Sequence, residues 1–307
     1  MAGGTDLADR ATPDSPGFLP TSGGARGDGL GSNLGRMLRA TVIWIPVLFL
    51  LVWTLLPLLV TFSTSFKTPS EVFTSPGLIP NSPSFDAYRD VLGRPGVRGA
   101  FLNSAIIGLG TTALTLAISV PAAYAFARFK FRGRHLLLLL TLLPRLIPSL
   151  GLMVPLYRLA AFAGMLDQHL TLIVIYSGML VPLSVWLLVG FFQQIPRELE
   201  EAANVDGATL WSRLRFVVLP LTIPALITIS VLAFREAWNE FTLVLVLTST
   251  PGKRTLPYEL FLMQAPSGIQ NYPAEAAFAL LTVLPFIILY TRIERYVVQG
   301  ITTGSGK

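Results

Sequence analysis

Apolar runs at residues 40–62, 101–126, 136–157, 170–192, 219–247 and 276–290 dominate this chain and limit what it can become. A bilayer crossing takes about 20 apolar residues as a helix, so the six runs are read as six transmembrane helices. Inside lipid a backbone must satisfy its own hydrogen bonds, which leaves an all-α integral membrane protein as the expected fold class. The composition agrees: of 307 residues 52% are hydrophobic and only 13% charged, against about 25% charged in an ordinary soluble domain. The absence of cysteine excludes disulfides, iron–sulfur clusters and thiolate zinc sites.

The first 36 residues are rich in Gly, Pro, Ser and Asp and show no apolar period, so a disordered N-terminal tail is expected over 1–36. The run at 40–62 has no small-residue cleavage site and is expected to remain as a helix rather than serve as a signal peptide. A membrane domain is then expected over 37–300, with a short cytoplasmic tail at 301–307. The sixth run is short and is expected to continue as helix past Arg292 and Arg295 into the interface.

Basic residues orient the spans. With both termini cytoplasmic, the inner side holds Arg36, Arg39, Arg128, Lys130, Arg132, Arg134, Arg197, Arg213, Arg215, Arg292, Arg295 and others, which outnumber those left outside. Lys130-Phe131-Arg132-Gly133-Arg134 is the firmest anchor because its loop is short. These charges sit at the ends of apolar runs and form no aromatic-interleaved patch, so the net charge of +6 reflects membrane orientation rather than nucleic-acid binding. Outside, Phe85, Tyr88, Val91 and Leu92 share a helical face opposite Asp86, Arg89 and Asp90, which predicts a short amphipathic helix strapped over the bundle.

Two places break the apolar pattern. Residue Arg145 falls near mid-depth of the third span, between Pro144 and Pro148. An arginine there costs about 2.5–3.5 kcal/mol on insertion scales, so it must face protein or water. Either backbone carbonyls freed by a proline kink satisfy it, or it lines a path. The fifth run is too long for one straight crossing and contains Arg235, Glu236, Trp238, Asn239 and Glu240, so a bend or break is expected there. Planar polar groups beside an aromatic face suit a sugar, while an ion-paired gate or plain packing are the alternatives.

The second feature is a polar insert between the fourth and fifth spans. Pro196 can open a helix through Glu198, Glu200, Glu201, Ala202 and Ala203. Asp206-Gly207 then permits a sharp turn, and a second short helix runs through Trp211, Leu214 and Val217 before Pro220. This predicts a helix-turn-helix over about 196–218 on the cytoplasmic face, in which small Ala202 and Ala203 admit a close neighbour and Glu201 offers a carboxylate to an arginine. Read from the residues alone, a solvated glutamate face is the default.

The spacing Glu201-Ala202-Ala203, three residues, Gly207, nine residues, Val217-Val218-Leu219-Pro220 resembles the EAA signature of permease subunits in binding-protein-dependent ABC importers, with Val217 where isoleucine is common. Asn103-Ser104, Ala122-Ala123-Tyr124-Ala125-Phe126-Ala127-Arg128, Pro155-Leu156-Tyr157, Ala237-Trp238-Asn239-Glu240 and Gly300-Ile301-Thr302-Thr303-Gly304 are similar to the carbohydrate branch, and to its maltose-type second permease. The resemblance covers residues 37–307 and implies the type I ABC importer permease fold in a bacterial or archaeal inner membrane. It further implies a second permease subunit, two ATPase subunits and an extracytoplasmic sugar-binding protein as partners. Glu201, Ala202, Ala203, Asp206, Gly207, Leu219 and Pro220 are then the ATPase-coupling residues, and Gly300, Thr302, Thr303 and Gly304 reach toward the ATPase interface. ATP and magnesium belong on the partner subunits, and this chain is expected to bind no cofactor or metal and to be no enzyme. Its ending Gly304-Ser305-Gly306-Lys307 lacks the spacing of a phosphate loop.

Rival readings are weaker. The only histidines, His135 and His169, are expected on opposite sides of the membrane, and no His-Glu-x-x-His is present, which argues against a membrane metalloenzyme. An ion-coupled secondary transporter would suit the broken, charged spans but leaves the docking insert unexplained. Within the importers, a permease for a non-sugar solute such as a polyamine is the alternative to carbohydrate.

Overall fold

A computed structural model describes residues 30–264 and 270–304 of the chain. Its elements run α1 (Leu30–Thr64), α2 (Glu71–Thr74), α3 (Asp86–Gly93), α4 (Pro95–Arg128), α5 (Arg134–Leu142), α6 (Ser149–Phe162), α7 (His169–Gln194), α8 (Arg197–Val205), α9 (Leu210–Arg213), α10 (Leu219–Leu221), α11 (Ile223–Asn239), α12 (Thr242–Leu247), α13 (Leu256–Met263) and α14 (Tyr272–Gly304). All described secondary structure is helical. Residues up to Leu56 form one unit and Pro57 onward another. In the first, α1 begins at Leu30, inside the segment expected to be disordered, and its side chains are exposed from Thr41 to Leu56.

Four helices are long and apolar enough to cross a membrane, and two bent pairs bring the number to as many as six. The third expected span is one of those pairs. A 3-10 turn at Leu143–Leu146 ends its first half, and Pro148 caps α6, so the halves meet at 95°. The fifth is interrupted twice. Helix α9 through α10 meets α11 at 81° around Thr222, before Pro224, and the helix stops again at Glu240, whose backbone is extended. The expected break among the charged residues is therefore present, and the additional bend at Thr222 was not read from the sequence. The sixth helix runs on past Arg292 as expected.

Helix α4 is the centre of the second unit. It starts with Pro95, which needs no N–H partner in the first turn, and it packs along α7 and α11. Ser104, Gly108, Thr111, Thr115, Ser119, Ala123 and Ala127 fall three or four residues apart along its buried stripe. Such small side chains let helices approach closely in lipid. A Cβ at Gly108 would sit 2.8 Å from the Phe234 ring of α11, and one at Gly110 would sit 2.6 Å from Cδ1 of Ile173 in α7. The Ser177 hydroxyl of α7 donates to the Thr111 carbonyl at 3.2 Å.

At one end of α4, Asn103 donates from Nδ2 to the carbonyls of Gly252 and Arg254, at 2.8 Å each, and the Ser104 hydroxyl accepts the Leu256 N–H at 3.0 Å. These two residues fix the connection from α12 to α13. The amphipathic helix expected around Val91 is α3, which buries Ala87 and Val91 against α14 and leaves Phe85 and Leu92 exposed. It packs as a strap, but through Ala87 and Val91 rather than through the whole expected face of Phe85, Tyr88, Val91 and Leu92.

Candidate functional site

The polar insert folds as two short limbs. Pro196 precedes α8, whose first turn holds Glu198 and Glu200, placing negative charge at the positive end of the helix. Its exit is closed by Gly207 at φ +81°, a left-handed position that glycine occupies without a Cβ penalty. Ala208 N–H donates back to the Ala203 carbonyl at 2.9 Å and Gly207 N–H to that of Asn204 at 3.1 Å. Thr209 then caps α9, its hydroxyl accepting the Ser212 N–H at 3.2 Å. The second limb loosens into a π-helical turn at Leu214–Val218 ahead of Pro220, with Leu214 and Val218 buried in the bundle.

The two limbs offer one face outward. Glu201, Ala202, Asp206 and Gly207 are exposed, Ala203 and Leu219 are half-buried, and Pro220 is exposed. Apolar side chains stand among them without cover: Val205 is 86% exposed, Phe216 69% and Trp211 61%. Exposed apolar groups interleaved with a carboxylate on a rigid, capped turn make a surface built for contact.

The other face was not read from the sequence. Glu200 is the single buried residue of α8. Its Oε2 accepts the Tyr124 hydroxyl at 2.6 Å, and Oε1 lies 2.6 Å from Arg128 Nε, an ion pair without hydrogen-bond alignment. Arg128 also donates from Nη2 to the Ile195 carbonyl at 3.2 Å. Tyr124 belongs to the buried cluster that also holds Phe192, Leu188, Ala123 and Ala127. Neighbouring glutamates on a helix point about 100° apart, so Glu200 and Glu201 cannot share a face. That spacing was the available signal.

A second cluster lies where both bent spans open. Arg145, Tyr176, Met179, Leu180, Glu236, Ala237 and Glu240 line a cavity of about 50 Å³. Tyr176 donates to Glu240 Oε2 at 2.6 Å, and the Glu240 carboxylate also accepts the N–H groups of Leu243, at 2.9 and 3.1 Å, and Val244, at 3.3 Å. It thus supplies acceptors to the first turn of α12. Glu236 faces solvent beside Arg235, 3.5 Å away. Arg145 is exposed and, among the described residues, makes no hydrogen bond or ion pair.

Other expected members of this cluster lie elsewhere. Trp238 is buried among Phe101, Phe234 and Phe286, with ring centroids 5.3–6.4 Å apart. With Asn239 it lines a different cavity of about 190 Å³, against α13 and α14. Asn239 turns its amide to the Arg235 carbonyl at 2.9 Å. Trp238 therefore packs the bundle where the sequence suggested a stacking face. Gly300, Thr302, Thr303 and Gly304 lie on the last turns of α14, beyond the residues whose side chains are described.

Residues 115–303 match the family described as binding-protein-dependent transport system inner membrane component. The chain is 36% identical over 256 residues to the trehalose transport system permease protein SugB of Mycobacterium tuberculosis, covering 83% of this chain and 93% of that one. It is 32% identical over 275 residues to the galactooligosaccharides transport system permease protein GanQ of Bacillus subtilis, covering 89% and 97%. Among solved structures, a chain of a bacterial ABC transporter that imports the acidic polysaccharide alginate superposes with a TM-score of 0.75 at 22% identity, over 88% of this chain and 98% of that one. That likeness is one of fold.

Proposed function

The chain belongs to the family of binding-protein-dependent transport system inner membrane components, and from that premise we propose that it is one of two permease subunits of an ATP-driven importer for a carbohydrate, of di- or oligosaccharide size. Two ATPase subunits inside and a sugar-binding protein outside complete the assembly, with both termini of this chain cytoplasmic. The carbohydrate class is supported by relatives named for trehalose and galactooligosaccharides, which match over nearly their whole length.

The observation that carries the reading is the outward face of α8 and α9. Glu201, Ala202, Ala203, Asp206 and Gly207, with exposed Val205 and Trp211, are offered to an ATPase subunit, and Leu219 and Pro220 join that surface to the fifth span. ATP closes the ATPase pair and this element moves as a lever, tilting the spans about their breaks. No nucleotide chemistry falls to this chain, and ATP with its magnesium belongs to the partners. Arg145 and Glu236, on two interrupted spans around one cavity, are the path-lining pair, with Arg235 paired to Glu236. The turns of α14 that carry Gly300, Thr302, Thr303 and Gly304 extend toward the same ATPase face.

The test is reconstitution with a second permease subunit, an ATPase and a sugar-binding protein of the same organism. Glu201→Ala with Gly207→Val is expected to abolish co-purification of the ATPase and ATP-dependent uptake, while calorimetry of the binding protein against an oligosaccharide panel names the sugar. Uptake that follows an ion gradient and ignores ATP, with the ATPase absent from the purified complex, would overturn the reading in favour of a secondary carrier.

A further inference from the structure

Helix α8 carries the proposed docking face, yet little fastens it to the bundle. Its N-terminal link to α7 is the pair Ile195-Pro196, and its C-terminal exit is the left-handed Gly207 turn, so the chain changes direction at both ends. Glu200 is its one buried residue. Among the described residues, the ion pair to Arg128 is the one salt bridge joining α8 to a spanning helix, and both side chains are over nine-tenths removed from solvent, at 9% and 7% exposure.

Arg128 occupies a particular position in this arrangement. It grips Glu200 on α8 through Nε and the Ile195 carbonyl at the α7–α8 link through Nη2, closing the hinge from both sides. Tyr124, one turn earlier on α4, takes the second carboxylate oxygen. All three contacts converge on the last turns of α4, where Ala123, Tyr124 and Ala127 are buried in one cluster with Leu188, Val189 and Phe192 of α7 and Ile229 of α11. A displacement delivered to that end of α4 is passed on to both neighbours, because a close-packed interface has no slack to absorb it.

We propose that Glu200, held by Arg128 and Tyr124, is the positioning group that makes α8 and α4 move as one body, so that force received on the exposed face of α8 enters the bundle through α4. The proposal rests on the reading of α8 as the ATPase contact. Glu200 and Glu201 then divide the work: the exposed carboxylate meets the partner and the buried one transmits. A buried ion pair backed by the Tyr124 hydroxyl on the same carboxylate suits this role, since parting it leaves an unpaired buried charge.

The experiment measures sugar transported per ATP hydrolysed by the whole importer in proteoliposomes, alongside ATPase co-purification and thermal melting. Glu200→Gln keeps the size of the side chain and loses its charge. It is expected to retain the bound ATPase and its hydrolysis while transport per ATP falls on the order of tenfold, within the usual range of coupling between sites. Arg128→Lys, which keeps the charge but loses the Nη2 donor to Ile195, is expected to give a ratio between those of Glu200→Gln and the unmodified importer. Tyr124→Phe removes one hydroxyl, is expected to lower the ratio by less than Glu200→Gln, and decides the matter by the same criterion should Glu200→Gln fail to assemble. An unchanged ratio in the assembled variants, with a lowered melting temperature, overturns the proposal and leaves the triad a packing device. Failure of the underlying reading looks different: Glu201→Ala with Gly207→Val would then leave ATPase binding intact.

Discussion

Tyr176 donates its hydroxyl across 2.6 Å to Glu240, tying α7 to the gap between α11 and α12. The same carboxylate accepts the Leu243 and Val244 N–H groups, so it serves two structures at once. Tyr176→Phe removes one bond to a charged acceptor and is expected to cost about 1–3 kcal/mol of stability. Glu240→Ala strands the hydroxyl and both backbone donors and is expected to lower the melting temperature of the detergent-solubilised complex further. Equal losses in the two variants would show that the α12 contacts contribute nothing.

Glycines 108 and 110 invite a graded comparison. At Gly108 an added methyl meets the Phe234 ring, which Trp238 and Phe286 hold at 5.3 and 5.6 Å and which cannot yield. At Gly110 it meets the terminal carbon of Ile173, which can rotate. At Gly99 on the same helix nothing lies within 4 Å. Overpacking costs about 1–3 kcal/mol, while alanine gains up to about 1 kcal/mol of helix propensity. Melting of Gly108→Ala is therefore expected lowest, Gly110→Ala next, and Gly99→Ala at or above the unmodified protein.

The legible and illegible parts of this fold separate by the range of the interaction. Apolar length announces spans, proline and charge announce the break at Glu240 and the kink around Arg145, and Pro196, Gly207 and Pro220 mark the insert, because each acts on its own neighbours along the chain. The inward turn of Glu200 depends on Arg128 and Tyr124, far away in sequence; the local period says that Glu200 and Glu201 diverge but not which of them turns inward. Asn103 and Ser104 looked like a family signature without a task, and their task, holding Gly252, Arg254 and Leu256, exists only once α4 and α13 meet. Trp238 takes the packing alternative over the sugar-facing one. Polar neighbours on either side suggested a wet, ligand-facing ring, yet its own helical face belongs to the aromatic cluster of α4, α11 and α14.

Asp167 stands at φ +58° in the loop before α7 and caps the loop after α12. It accepts the N–H groups of Ser249, at 3.0 Å, and Thr250, at 3.1 Å, together with the Thr250 hydroxyl. The Thr250 hydroxyl, ahead of these amides and of the nearby Lys253 charge, holds the carboxyl below the usual aspartate range. A depressed folded-state pKa adds stability above the unfolded value and forfeits it as pH falls through the folded one. The loop is therefore expected to stay pinned through mildly acidic conditions and to loosen only below the ordinary aspartate range. Asp167→Asn, which tolerates the left-handed backbone, is expected to raise hydrogen exchange at Ser249 and Thr250 at neutral pH and to abolish the acid-dependent step.

Arg145 separates stability from transport most cleanly. The kink between Pro144 and Pro148 frees backbone groups, yet the guanidinium takes none of them and no partner from the described residues. A charge at that depth costs about 2.5–3.5 kcal/mol unless water or a second subunit receives it. Its neighbours across the cavity, Glu236 and Glu240, belong to the other interrupted span. Because none of the described residues bonds to it, Arg145→Met is expected to leave melting and ATPase docking nearly unchanged, within about 0.5 kcal/mol. Uptake by the assembled importer is expected to fall on the order of tenfold, as for a lost charge-assisted contact to solute. Arg145→Lys, which keeps the charge and loses the planar fork, is expected to lie between. Full uptake by Arg145→Met would remove the residue from the path, whereas a large drop in melting temperature would assign it to an interface with the second permease subunit.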